Sequence, residues 1–357
     1  MQSNQHNNMK LAIHHEGSWC ESIIQHCNER NISYKIVNCL DTDILDQIKE
    51  CDGLIWAFSH LSPTHILMAR SVLNSAKEMG ISVFPDYEST WHFDDKLSQK
   101  YLFEALDLSV AKAWAFFDKD QALNWINSSE ASIPIVGKLR RGAGSYNVKL
   151  LRSKQEASSY INRMFGKGYS PAPARMADIS TKLQVAMKNG GIKGIIDRAK
   201  KAPRFFRMSR FGAKFHAVEK GYVYFQQFIP GNTCDYRLTV VGDRVWGYRR
   251  MVRSNDFRAS GSGMVDYDPQ AIPAEVVKLA IDSADKLKMN SVCFDFVRDD
   301  QNRFYLVEIS YGFVSELIHN CEGYWDRNLE WYKGHVWPTD AILDDFINLI
   351  SSRGAEI

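Results

Sequence analysis

The chain has no run of about 18 apolar residues, the length a transmembrane helix needs, so no membrane span is expected. It has no G-x-x-x-x-G-K-[ST] sequence, which excludes a P-loop, and no G-x-G-x-x-G after its first strand, which argues against a dinucleotide site. Its seven cysteines are scattered, with Cys20, Cys27, Cys39 and Cys51 well apart and no close pairs of the zinc-site kind. An odd, dispersed set suits reduced thiols and a cytoplasmic location better than a disulfide framework. No Ser-His-Asp signature is present to supply a nucleophile. Residues 1–8 are polar and lack an apolar core, so they read as a short disordered tail rather than an export signal, with Met9 as an alternative start. The formal charge of +2 gives no single-signed chain, and without a nucleic-acid motif no nucleic-acid partner is expected.

What is present is a globular composition, 45% hydrophobic and 24% charged, in 357 residues, a length that suits two or three domains. The first ninety residues alternate strand and helix. Strands are expected at 10–14, 34–39, 53–58 and 81–84, and helices from Ser18 to about Arg30, at 43–50 and from Pro63 to Met79. Such alternation implies a parallel sheet covered by helices. The His14-His15-Glu16 loop then falls at the carboxyl end of a strand, where open α/β sheets bind ligands, though a surface loop explains it as well. A helix at 94–106 leads away from this unit.

The last third holds an acid in each of two apolar segments, Asp295 in 293–297 and Glu308 in 304–310, joined by a polar turn. The pattern is a hairpin with both carboxylates on neighbouring strands. Carboxylates among hydrophobes need a cation or a donor, and a shared Mg²⁺ would answer both the burial and the mutual repulsion. The alternative is a hairpin in which one acid pairs with an arginine and the other faces water.

Earlier, Lys138 ends an apolar strand and is followed at once by the small-residue loop Gly142, Ala143, Gly144 and Ser145, a setting in which backbone N–H groups and an ammonium meet phosphate oxygens. The strand 223–227 runs into Phe228, Ile229 and Pro230. A further hairpin, turning at Gly242-Asp243, brings Arg237, Arg249 and Arg250 to one sheet edge, and Arg258 follows. Between loop and strand, residues 170–214 carry eleven Lys and Arg side chains against two acids, Asp178 and Asp197, interspersed with apolar residues. This basic insertion suits an anionic substrate or a lipid-linked partner; a solvated surface insertion is the alternative.

This order, Lys138, the Gly loop, Gln226-Gln227-Phe228-Ile229, Asp235-x-Arg237, Arg250, Asn255 to Arg258, Asp295 and Glu308, resembles the ATP-grasp superfamily, and within it the glutamate ligases that extend the C-terminus of a ribosomal protein. The resemblance spans about 94–312. It implies an ATP-grasp fold, α/β and α+β, with an N-terminal parallel α/β domain at 9–93, a central lid domain at 94–225 and a C-terminal domain at 226–357. It further implies ATP and Mg²⁺ (or Mn²⁺) as cofactors. Lys100 and Lys138, with Gly142, Gly144 and Ser145, would meet phosphates, Gln227 and Phe228 adenine, and Asp235 the ribose. Ser260 would stand at the cofactor, Arg250 and Arg258 at the reacting phosphoryl group, and Asp295, Glu308 and Ser310 at the metal. The chain departs from the pattern at Ser260 and Ser310, where the family carries Asn.

The implied reaction is ADP-forming ligation of a carboxylate to an amine through an acyl phosphate. A superfamily kinase acting on a hydroxyl and a nucleotide-binding regulator are the competing classes. The aromatic tail, with Trp325, Trp331, Tyr332 and Trp337, suits either packing on the core or stacking on a sugar, so an amino acid, a uronic acid or another glycan carboxylate is the expected substrate range, with an amine as co-substrate. The oligomeric state, monomer or homo-oligomer, is left open.

Overall fold

Short apolar runs that alternate with amphipathic stretches fold as β1 (Lys10–His14), α1 (Cys20–Glu29), β2 (Ser33–Val37), α2 (Ile44–Ile48), β3 (Gly53–Ile55), α3 (Pro63–Glu78) and β4 (Ser82–Phe84). The computed structural model describes residues 9–17, 19–60, 62–142, 147–170, 218–253 and 256–354. The expected tail 1–8, Ser18, Gly144, Ser145, Asn255 and all of the basic insertion but residue 170 lie outside these ranges. The four strands form a parallel sheet in the order β2-β1-β3-β4. Local chemistry sets the helix starts. The Ser62 hydroxyl accepts from the His65 amide, with Pro63 in the first helical position of α3. After α4 (Tyr87–Thr90), the Asp95 carboxylate accepts the amides of Leu97 and Ser98 and so starts α5 (Lys96–Ala105).

A second sheet, antiparallel and ordered β5-β8-β6-β7, is built from β5 (Ala113–Phe116), β6 (Ile135–Lys138), β7 (Lys149–Leu151) and β8 (Val223–Gln227). It is backed by α6 (Lys119–Asn127) and α7 (Lys154–Met164) and has its own apolar cluster, including Phe225, Tyr160 and Ile161.

The third sheet runs β13-β12-β9-β10-β14-β15, with β11 also pairing β10. Its strands are β9 (Cys234–Val241), β10 (Arg244–Met251), β11 (Val265–Asp266), β12 (Ser291–Arg298), β13 (Phe304–Ser310), β14 (Gly323–Trp325) and β15 (Trp331–Lys333). The helices α8 (Ala274–Leu287), α9 (Ser315–His319) and α10 (Pro338–Gly354) complete it. At the β9–β10 turn Gly242 has φ +56°, a left-handed conformation that favours glycine. The aromatic tail forms the β14–β15 hairpin: Trp325 and Trp331 lie 4.5 Å apart, and Tyr324 and Tyr332 stack at 5.5 Å. Trp337 stacks on His319 at 3.9 Å. These rings pack on each other and on neighbouring elements.

The first and third sheets share one apolar core, from Leu11, Ile13 and Trp56 to Trp246, Phe294 and Phe346. Polar links reinforce the join. Trp19 Nε1 donates to the Phe313 carbonyl at 3.1 Å, the Tyr311 hydroxyl donates to the Phe58 carbonyl, and Ser22 and Thr339 hydroxyls meet at 2.7 Å. The junction is tight where β3 meets α10. A Cβ on Gly53 would lie 2.7 Å from the Phe346 ring and 2.8 Å from Ile350. Gly53→Ala is therefore expected to destabilise the fold by about 1–3 kcal/mol, the usual cost of overpacking. Adding Phe346→Leu should recover part of the loss. Urea denaturation of the two variants checks this; an unchanged midpoint for Gly53→Ala would remove the packing argument.

Candidate nucleotide and metal site

Cross-strand register builds the site. On β12 and β13, Asp295 stands directly opposite Glu308, and the register then shifts, so that Phe296 faces Leu306 and Val307 is the extra residue of a bulge. The Val307 carbonyl accepts from the Gln226 side chain of β8 at 3.3 Å, which ties the second sheet to the third. On the other side of β12, Asp295 faces Arg237 of β9, and Asp235 of β9 faces Arg250 of β10.

These neighbours form a buried ladder of charge. Arg237 donates to both Asp295 oxygens, at 2.7 and 2.8 Å. Arg250 lies 2.8 Å from the same carboxylate and forks onto Asp235 at 2.8 and 2.6 Å. Burial alone would raise the Asp295 pKa, but Arg237 and Arg250 overcome it and hold the carboxyl well below the usual range. Burial also works against the Arg250 charge, yet Asp295 and Asp235 keep the guanidinium firmly protonated.

Glu308 is partly exposed. Its carboxylate lies 2.8 Å from the Lys96 ammonium, which also donates to the Gly142 carbonyl at 2.9 Å. The Gly142 amide in turn donates to Asp94 at 3.1 Å, so the start of α5 pins the start of the small loop. Lys138, at the end of β6, is buried within the field of Glu308, Lys96 and Asp295. Burial, with Lys96 adding to it, lowers its pKa to about 8.

The other expected residues fall as follows. Lys100 lies one turn further along α5, where it pairs with Glu104 at 2.8 Å over the Tyr101 ring; the lysine beside Glu308 is Lys96. Only the run Asp94-Asp95-Lys96 carries a hint of this, since the Asp95 cap puts Lys96 at the first helical position. Gln227 is exposed at the end of β8, and its amide donates to the Lys112 carbonyl at 2.7 Å. Phe228 packs edge-on against Phe257 at 5.8 Å. Arg258 forks onto Asp256 at 2.9 and 2.6 Å, apart from the Asp295 ladder. The Ser310 hydroxyl is engaged in its own turn, donating to the Gly312 carbonyl at 2.6 Å. Ser260 and Ser310 line, with Asp295, Glu308, Arg237 and Arg250, a cavity of about 480 Å³ whose opposite wall is Gly17, Ala57, Ser59 and His60. Arg237 belongs to the sequence motif without a role of its own there; its bidentate grip on Asp295 emerges only from the strand order.

Oxygen ligands from an acid pair suit a hard divalent cation. Asp295 already accepts hydrogen bonds from two guanidinium groups, so Glu308, facing the cavity, is the freer of the two. As a donor set the pair would suit Mg²⁺, with Glu308 the acid that would exchange Lys96 for it.

Removing Arg237 would leave Asp295 held by Arg250 alone. Arg237→Met is expected to cost about 3–5 kcal/mol, the penalty for stranding one partner of a buried pair. The double variant Arg237→Met, Asp295→Asn should be more stable than Arg237→Met. Urea unfolding of the two proteins reads this, and equal stabilities would show that the pair is not coupled.

Residues 213–318 match the RimK-like ATP-grasp domain family. No curated protein matches the sequence. Among solved structures, a RimK domain ATP-grasp protein from Sphaerobacter thermophilus superposes with a TM-score of 0.54 at 14% identity, over 95% of this chain and 99% of that one. The ATP-grasp ligase PsnB, solved with a precursor variant, Mg and ADP, gives 0.56 at 12% identity over 96% and 99%. The macrocyclase MdnC from Microcystis aeruginosa, bound with its precursor peptide, gives 0.55 at 12% identity over 96% and 100%. This chain therefore has the ATP-grasp fold, and its residues 213–318 are similar to the RimK-like ATP-grasp domain.

Proposed function

We propose that this protein is an ATP-dependent, ADP-forming ligase that joins a carboxylate to an amine through an acyl phosphate. The observation that carries the reading is the convergence of buried Lys96 and Lys138 on Glu308 and Asp295, contributed by three separate parts of the chain. Two lysines beside an acid pair suit a metal-bound polyphosphate better than a structural ion pair, which would need only one cation. The ATP-grasp fold supports it, and so do the ligases among its structural neighbours.

In this reading the unit at 94–225 is the lid and 226–357 carries the acids. Mg²⁺ bound with the nucleotide would be held by Glu308 and Asp295 and would neutralise phosphate charge during transfer. Lys138 and Lys96 orient the phosphates. Gln227 and Phe228 border the adenine and Asp235 stays tied to Arg250. Arg250 fixes a positive charge on the cavity wall, and Arg258 would add a second only by leaving Asp256. Such preset charge lowers the barrier for phosphoryl transfer and for the tetrahedral intermediate without reorganisation. The substrate range proposed is an amino acid or a uronic acid carboxylate, with the insertion 170–214 recruiting an anionic acceptor.

With the right substrate, Mg²⁺ and hydroxylamine, the enzyme is expected to yield a hydroxamate and ADP; Glu308→Gln should keep the fold and lose at least ~10²-fold in turnover, as when an electrostatic group is removed from a site. ADP formed without any hydroxamate would point to a hydroxyl acceptor and sink the ligase reading.

Lys138 gives a second test. Polyphosphate favours the charged ammonium, so binding above pH 8 must take up a proton. Affinity for ATP should therefore fall as pH rises from 7 to 9, through the Lys138 pKa of about 8. Lys138→Met should bind more weakly and lose this pH dependence, measured by calorimetry. The same slope in wild type and variant would assign the titration to another group.

A further inference from the structure

The carboxyl edge of the first sheet holds a cluster that the nucleotide site leaves unused. His14 ends β1 and is almost wholly buried, at 2% exposure, yet its Nε2 has no hydrogen-bond partner. Its ring lies 5.5 Å from that of His65, in the first turn of α3. Ligand atoms of His14, His65 and Glu16 all lie within 4.8 Å of one another. The Trp56 indole N–H is also buried without a partner, with its ring 5.3 Å from His14 and 5.6 Å from His65. Buried polar groups are nearly always satisfied, so orphaned nitrogens at a strand's carboxyl end call for a ligand.

The hydrogen bonds decide what kind of ligand. The Cys39 amide donates to His14 Nδ1 at 3.1 Å, and the Ser59 amide donates to His65 Nδ1 at 3.4 Å. Each Nδ1 is therefore an acceptor, and a neutral imidazole then carries its proton on Nε2. Both rings are kept neutral: burial, with His15 and His65 adding, lowers the His14 pKa to about 4, and burial lowers that of His65. A metal ion needs a bare lone pair on the ligating nitrogen and a proton on the other, the reverse of this arrangement. The cluster instead offers N–H donors, next to the partly positive start of α3, and one carboxylate, Glu16.

Imidazole N–H donors clustered with a carboxylate match an adjacent carboxylate and ammonium. We propose that His14, His65 and Glu16 bind the α-amino acid head group of a substrate, the imidazole N–H groups holding its carboxylate and Glu16 its ammonium. The assignment rests on the ligase reading for its chemistry. The loops that carry the cluster, through Gly17, Ala57, Ser59 and His60, also form one wall of the cavity whose other wall holds Glu308 and Asp295. The anchored head group is thus the non-reacting end, and the reacting carboxylate or amine is the distal group that extends across the cavity toward Glu308. The site would select amino acids with a functional side chain over simple acids or amines of the same length.

The test uses long-range proton–nitrogen NMR of the imidazoles in the full-length protein with Mg-ADP. The probes are aspartate, glutamate, lysine and ornithine, each against its counterpart lacking the α-amino group (succinate, glutarate, 6-aminohexanoate and 5-aminopentanoate). Both rings are expected to be protonated at Nε2, and at least one amino acid should shift both while its counterpart does not. Glu16→Gln should weaken that amino acid by roughly tenfold or more, as loss of a charged hydrogen bond does, and leave Mg-ADP affinity unchanged. ADP release is measured in parallel with each amino acid alone and paired with the other probes. Rings protonated at Nδ1 that take up Zn²⁺ would replace the proposal with a metal site. ADP release driven by an amino acid that shifts neither ring would overturn the proposal and leave the ligase reading intact. Shifts of both rings with no ADP release from any combination would support the head-group site and count against the ligase reading.

Discussion

Asp295 is the constraint on which the site depends. A carboxylate in an interior strand of a sheet, between the core residues Phe294 and Phe296, cannot remain charged without partners. The structure supplies them from the adjacent strands. Arg237 comes from β9, and Arg250 comes from β10 and is shared with Asp235. Every member of this ladder needs antiparallel register across β12, β9 and β10 to be correct, because a slip of one residue would turn each side chain to the other face. A buried ion pair of this kind adds little net stability over well-packed apolar residues, so its stabilising value does not explain it. What it secures is position: an ionised oxygen pair fixed at the cavity wall, with no rotamer left to reorganise.

Glu308 behaves differently although it stands directly opposite Asp295. It sits on the edge strand of the hairpin, partly exposed, and meets one buried lysine, Lys96. The two acids thus divide the work that the sequence pattern assigns to them jointly. Asp295 is locked by guanidinium groups and sets the field, whereas in the proposed reading Glu308, held by one ammonium, exchanges that partner for a cation carried in with a ligand. The bulge at Val307 lets the strand that bears Glu308 also accept Gln226 from the second sheet, so the acid and Lys138 are registered to each other through backbone.

Much of this is legible in the amino-acid sequence. The β12–β13 hairpin and its opposed acids follow from two apolar segments and a polar turn, and the parallel first sheet follows from alternating periodicity. What local pattern cannot give is which hairpin lies beside which. The order β13-β12-β9-β10 brings Arg237 to Asp295 across 58 positions of sequence, and no spacing rule contains that fact. Sequence resemblance singles out Lys100 on α5, whereas the lysine that meets Glu308 is Lys96, one turn earlier. Both lie on the same face of α5, and only the packing of its first turn against the Gly142 loop separates them. The aromatic tail is ambiguous for a similar reason. Rings that stack on one another across β14 and β15 have the same composition as rings that stack on a sugar.

The histidine loop shows the opposite case: its place follows from sequence order, its chemistry only from three-dimensional contacts. A His-His-Glu run after the first strand marks the position where open sheets bind ligands, but the same three letters fit a metal site, an acid–base pair or plain surface. The backbone amides that point at Nδ1 of His14 and His65 remove the first of these, since they fix the proton on the nitrogen that a metal would need. Burial removes the last for His14. An acid–base pair would require an imidazole that titrates near neutrality, and burial with a second imidazole alongside pushes His14 far below it. Directed N–H donors remain, and directed donors recognise oxygen. In the proposed reading the two sheets then have distinct tasks: the third carries charge that acts on a reacting phosphoryl group, and the first carries neutral donors that bind without reacting.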